Sequence, residues 1–334
     1  MADKKKLPGP VDSTLKAGGL LFLAALGAAL LTAWIAPSGK LAGPDPFYGM
    51  VIGPQVEVQN SLAKLDALGV NTVRLRMDVK DWGRPGANTG GAAYDGALGQ
   101  APVLKKRGFR VVLQVNSEGG AMPSYPRAKA LFQWLLRRPG AGSVDVVEVL
   151  GPVTEQAANA DAFSSTLTRA QQAQRYVGGP LRAADEVFHA ARKKVLGAAF
   201  TPWQQASDLR PAGAWTLSVT KAYVAAGYLD RVDYAGFQAD QPTAAAQVDW
   251  VRRAAALFGR KPVWVSEWQL NRSAFGDDGS YVDAMGAAAR SLHGLVGTAC
   301  YAGLTPAEGV VPVTKDGRRE AEPAFKAYRS WPKK

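Results

Sequence analysis

Lys261-Pro262-Val263-Trp264-Val265-Ser266-Glu267-Trp268-Gln269 is the stretch from which the rest of the chain can be read. A short apolar run opened by Lys-Pro predicts a buried strand, and it carries one carboxylate, Glu267, near its end. Strict alternation puts Val263, Val265, Glu267 and Gln269 on one face and Trp264, Ser266 and Trp268 on the other. Working outward, short apolar runs alternate with helical stretches, the pattern of βαβ units. Strands are expected at 47–51, 71–77, 110–115, 144–150, 195–200, 232–237, 261–269 and 296–301. Helices are expected near 56–68, 101–107, 128–138, 168–194 (broken at Gly178-Gly179-Pro180), 216–228, 244–258, 282–292 and 323–330. Eight such units predict an α/β chain closed into a (β/α)8 TIM barrel over 47–334, with Glu267 at its mouth. An open doubly wound sheet is the alternative, but no glycine-rich phosphate loop follows the first strand.

The N-terminus reads separately. Residues 17–36 hold no charge and would span about 30 Å as a helix, enough for a bilayer core. Lys4, Lys5, Lys6 and Lys16 precede this run, so 1–16 is expected to be a cytoplasmic basic tail, 17–36 a single transmembrane anchor in the lipid bilayer, and 37–46 a Pro/Gly linker. The barrel is then expected outside the cytoplasm. A cleaved signal peptide is the competing reading; Pro37 directly after the run argues against it.

Composition narrows the chemistry. With 40 Lys+Arg against 28 Asp+Glu the formal charge is +12, which suits a solvated basic surface or attraction to an acidic polymer. No basic run interleaved with aromatics follows Lys16, so no nucleic-acid partner is expected. One cysteine, Cys300, rules out an intrachain disulfide, and two histidines make a histidine metal site or a Ser-His-Asp triad improbable. No metal and no cofactor are expected, and carboxylates are the remaining chemistry.

Several segments carry a resemblance. Leu65-Asp-Ala-Leu-Gly-Val-Asn-Thr-Val-Arg74, Val232-Asp-Tyr-Ala-Gly-Phe237, Pro262-Val-Trp-Val-Ser-Glu267 and the tail 316–328 resemble the second, sixth, seventh and closing segments of the clan A (β/α)8 retaining glycoside hydrolases, especially family 39-like members. The likeness implies Glu267 as nucleophile and Arg74 as the arginine that holds it charged. Two departures matter. Where the family's fourth strand ends in Asn-Glu-Pro, Val147-Glu-Val-Leu-Gly-Pro-Val153 has Gly151 for the Asn and Pro152 for the acid/base Glu. The sixth strand's His-x-Tyr becomes Gln238 and Asp240.

Retaining hydrolysis needs two carboxyl groups about 5 Å apart. Glu155, three residues past Pro152, is the candidate displaced acid/base; Asp240, Glu118 and Asp78 are further acids at expected strand ends. Substrate contacts are expected from Arg74, Asp78, Glu118, Gln238, Asp240, Trp268 and Tyr301, with Trp82 and Trp203 as further aromatic candidates. Glu148 reads as a buried structural charge paired with Arg74 or Arg76, and Glu267 itself could be such a structural partner. Two functions stay open: a glycoside hydrolase-like pseudoenzyme that binds a polysaccharide or serves assembly in an envelope or particle with protein partners, and an active retaining glycosidase.

Overall fold

The computed structural model describes residues 48–52, most of 62–88, 92–154, 166–202, 214–241, 243–270 and 278–304, with isolated positions between. The expected transmembrane segment and linker, Glu155, Trp203 and the expected helix at 323–330 lie outside the described residues. Among the described residues no helix is long and apolar enough to cross a membrane.

The strands are β1 Tyr48–Ile52, β2 Thr72–Val79, β3 Arg110–Ser117, β4 Val146–Val149, β5 Lys194–Leu196, β6 Ala235–Gln241, β7 Val263–Leu270 and β8 Thr298–Leu304. Between them run α1 Ala92–Lys106, α2 Tyr125–Leu136, α3 Arg169–Tyr176, α4 Arg182–Ala190, α5 Ala214–Ala225, α6 Ala244–Ala256 and α7 Asp278–His293. All strand pairs are parallel, in the order β5-β4-β3-β2-β1-β8-β7-β6. Two isolated parallel bridges, Leu196 with Tyr234 and Phe200 with Phe237, join the outer strands β5 and β6 and close the ring. The expected barrel is therefore present. Helix α1 begins nine residues before its predicted start, because Gly96 and Gly99 mask its apolar period and Pro102 sits inside it. The break expected at Gly178-Gly179-Pro180 is a π-helical turn, Val177–Leu181, that separates α3 from α4.

Local chemistry starts the helices where the chain needs them. Thr168 and Gln171 form a reciprocal capping box at α3, with Gln171 N donating to Thr168 Oγ1 and Thr168 N to Gln171 Oε1. Thr243 caps α6 by accepting from Ala246 N at 3.2 Å. The main core fills the shell between barrel and helices, with Val73, Leu75 and Met77 from β2, Val111, Leu113 and Val115 from β3, and Val263 and Val265 from β7. A second cluster of Val112, Val146, Leu196 and Trp264 plugs the lower interior. Tyr234 stacks on Trp264 at 4.2 Å and Arg110 lies over the same indole at 5.6 Å.

That division corrects the reading of β7. Val263 and Val265 face the helices and Trp264 faces inward, opposite to a site shared by Val263, Val265 and Glu267 on one face. Both ladders of β7 slip at the same place: Phe237 pairs with Val265 but Gln238 with Glu267, and Val265 pairs with Ala299 but Trp268 with Tyr301. The extra residue is a β-bulge that inverts the alternation, so Glu267 turns inward after all.

Side chains reinforce the backbone bridges at the β5–β6 seam. Tyr176 donates its hydroxyl to Val149 O at 2.9 Å and accepts from Ala198 N at 2.8 Å, bridging β4 to the extension of β5. The Tyr228 hydroxyl donates to Ala198 O at 3.3 Å and accepts from Gly236 N at 3.2 Å, spanning the seam itself. Burial pushes both phenols above their ordinary range, so they remain protonated donors. Gly197 leaves the room: a Cβ there would lie 2.1 Å from the Tyr228 oxygen.

Below the barrel, His189 is gripped by two acids, with Nδ1 2.8 Å from Asp185 Oδ1 and Nε2 2.7 Å from Asp233 Oδ2. Arg231 pairs with Asp185 and Lys194 with Asp233. Two acceptors on two ring nitrogens demand the imidazolium. Burial works against that charge, but bonds to Asp233 and Asp185 outweigh it and raise the His189 pKa. A raised folded-state value means the contribution is complete below the unfolded pKa and lost as pH rises through the folded one. The stability difference between wild type and His189→Gln should therefore shrink from pH 6 to pH 9. With His189 39% exposed, solvent screening keeps the effect below about 1 kcal/mol. Urea titrations at the two pH values read it, and a difference that grows with pH would overturn the imidazolium.

Candidate functional site

Period two from Val112 and Val146 places Gln114, Asn116 and Glu148 inward, and β2 contributes Thr72, Arg74, Arg76 and Asp78 on the same side. Arg74 is 2% exposed and spans the barrel above the Trp264 plug. Its Nε donates to Glu148 Oε2 at 2.5 Å and its Nη2 to Glu148 Oε1 at 3.2 Å, a bidentate pair, while Nη1 donates to Glu267 Oε2 at 3.1 Å. Glu148 is fully buried, whereas the Glu267 side chain is 34% exposed. One guanidinium thus joins two carboxylates. Burial works against the charge on Arg74, but Glu148 and then Glu267 outweigh it and hold the guanidinium above its ordinary pKa. Cys300 shares this interior, and burial pushes its thiol up to about 12, with Arg74 opposing and the two carboxylates adding. Gly49 makes space for it, since a Cβ there would fall 2.5 Å from the sulfur.

The expected pairing of Glu148 with Arg74 is thus found, and the expected contact of Arg74 with Glu267 as well. Gln238 stands beside Glu267 in register and accepts from Thr201 Oγ1 at 3.0 Å. Asp240 is at the register position of Gln269. Asp78 accepts from Arg76 Nε and from Asn116 Nδ2, both at 3.0 Å, so it is an ion-pair partner at the rim. Glu118 is exposed in the 3-10 turn that follows β3. Among the described residues no group of three or more His, Cys, Asp or Glu could hold a metal ion.

Two expected sugar contacts are corrected. Trp268 is 2% exposed and Tyr301 1% exposed; both pack in the helix-facing shell, ring to ring at 5.1 Å, with the Tyr301 hydroxyl against Tyr281 and Met285 of α7. The bulge is the cause for Trp268, because the phase change that turns Glu267 in turns Trp268 out. Trp82 is likewise buried, donating from Nε1 to Ser117 Oγ at 3.0 Å and meeting Phe132 edge-on.

The end of β4 holds the position at which the likeness would put a proton donor. Leu150 adopts φ 69°, a left-handed conformation rare for a side chain of its size. Gly151, Pro152, Val153 and Thr154 are all buried. Val153 N donates to Ala199 O at 3.0 Å, and Thr154 Oγ1 accepts from Thr201 N at 2.8 Å. The segment is bonded down onto the extension of β5, and its side chains supply no proton at the mouth. Sequence reasoning missed Asn116, which is 4% exposed and whose Oδ1 has no donor. Its inward phase on β3 was legible from the alternation of Val111, Leu113 and Val115.

No family model matches the chain, and no curated protein resembles it in sequence. Solved structures do resemble it. A glucosidase from Croceicoccus marinus superposes with TM-score 0.59 at 17% identity over 88% of this chain and 68% of that one. The GH53 catalytic domain from Ignisphaera aggregans gives 0.56 at 13% identity over 87% and 97%. A family 39 glycoside hydrolase from Bacteroides cellulosilyticus gives 0.54 at 11% identity over 85% and 63%. At these identities the shared property is the fold, a (β/α)8 barrel.

Proposed function

We propose that this barrel binds a polysaccharide or glycan at its mouth without hydrolysing it by the two-carboxylate route, and that residues 17–36 anchor it in a membrane with the barrel outside the cytoplasm, as a component of an envelope or particle assembly. The observation that carries the reading is the buried Leu150-Gly151-Pro152 end of β4. Two-acid hydrolysis needs a carboxyl that hands a proton to the leaving group, and proline has none. A rigid strand end is also the hardest place from which to lose a positioned acid and replace it from a loop.

The test is a panel of neutral, amine-bearing and acidic oligosaccharides, assayed for released ends and, in parallel, for binding by calorimetry. Binding without turnover is expected. Turnover that Glu267→Gln abolishes would overturn the pseudoenzyme reading. It would support the second reading, a retaining glycosidase with Glu267 as nucleophile and Glu155 as displaced acid/base; the observation in its favour is a partly exposed carboxylate oriented by Arg74. For the anchor, the intact mass of the mature chain decides: retention of 1–36 and extraction only by detergent are expected, and a chain shortened by those residues would replace the anchor with a cleaved signal.

A further inference from the structure

Resting on the glycan-binding reading, we infer that the mouth takes a saccharide carrying a protonated amine. The floor of the mouth holds two carboxylates and one guanidinium, so the charges do not balance: Glu148 takes two of the five guanidinium N–H groups and Glu267 a third. One negative charge is left over, and it faces outward on the partly exposed Glu267, whose Oε1 has no partner among the described residues. Across the barrel, Asn116 points inward from β3 with its Nδ2 given to Asp78. Its Oδ1 is a buried acceptor with no donor. Asp78 already takes Arg76 and Asn116 on a single oxygen, Oδ1, and its other oxygen is unused among the described residues.

Three unfilled acceptors, Glu267 Oε1, Asn116 Oδ1 and the second Asp78 oxygen, thus accompany an uncompensated negative charge. An ammonium group is the complementary ligand: three donors, no acceptor, and the charge that balances Glu267. A uronate would place carboxylate against carboxylate. A neutral sugar would satisfy Asn116 but leave the charge uncompensated. Arg76 sits at the rim with half of its side chain exposed and is bound to Asp78, which keeps its charge from Glu267.

Calorimetry on the full chain with glucosamine oligomers, their N-acetylated counterparts, glucose oligomers and uronate oligomers separates these cases. The amine oligomer should bind about tenfold or more tighter than the acetylated one, as a charge-assisted bond to one carboxylate provides. The advantage should fade as salt rises and vanish as pH rises through the titration of the ligand's amine, while the acetylated oligomer stays flat. Glu267→Gln should remove most of it; a thermal melt checks that the variant folds, and should it not fold, the ligand-amine pH profile on wild type decides alone. Equal affinity for amine, acetylated and glucose oligomers overturns this inference and leaves glycan binding standing. Preference for the uronate overturns it as well. No binding by any oligomer overturns both.

Discussion

Arg74→Met should destabilise the barrel by about 3–5 kcal/mol, the usual cost of removing one partner from a buried charge pair. Among the described residues the guanidinium is the one cation paired with Glu148, which is fully buried, and it also holds Glu267. Methionine matches the length of the stem and supplies no charge, so the lost energy is that of a stranded carboxylate and not of a cavity. The double variant Arg74→Met/Glu148→Leu should recover much of the loss, since replacing both members by apolar groups removes the stranded charge. Urea unfolding of wild type, single and double variants measures both quantities. A single variant within about 1 kcal/mol of wild type would show that Glu148 finds another partner and that Arg74 does not organise the interior.

Gly197→Ala is the second large effect, expected on the order of 3–5 kcal/mol from overpacking plus two broken hydrogen bonds. The new methyl would lie 2.1 Å from the Tyr228 oxygen and 2.4 Å from its Cζ. The ring cannot move without giving up Ala198 O and Gly236 N. On the far side of the seam, Gly236 is just as tight, since a Cβ there would meet Gly197 O at 2.6 Å. Tyr228→Phe, which removes only the hydroxyl, should cost less than half as much. Thermal melts rank the two, and Gly197→Ala no worse than Tyr228→Phe would mean that the seam relaxes around the methyl.

The barrel was legible because each strand is an apolar run and each helix a longer amphipathic one; the pattern from Val111 to Val115 is enough to set β3 and its inner face. What escaped was phase. A bulge between Val265 and Trp268 leaves no mark in the apolar pattern, because Val-Ser-Glu-Trp alternates equally well in either register. That single inserted residue moved Trp268 from a sugar platform into the core and Glu267 onto the inward side. The pairing of Arg74 with Glu148 was readable from inward charges that must find each other, but the bidentate grip, with Glu267 on the third nitrogen, depends on side-chain reach. The seam glycines were a missed signal: Gly197 and Gly236, each inside an apolar run, mark close approach of other groups. Their partner, Tyr228, sits outside any strand, and nothing local announces that its hydroxyl would bond to β5 and β6.

The strand order has a consequence for how so thin a seam stays shut. The two strands at the ends of the paired series, β5 and β6, are consecutive in the chain, whereas the strand that enters last, β8, pairs with both β1 and β7. The longest chain closure, β1 to β8, is therefore held by a ladder, and the two isolated bridges fall between strands joined by a far shorter segment, where bringing the ends together costs less entropy. Two bridges and a phenol suffice at a place where the tether keeps the edges in each other's company.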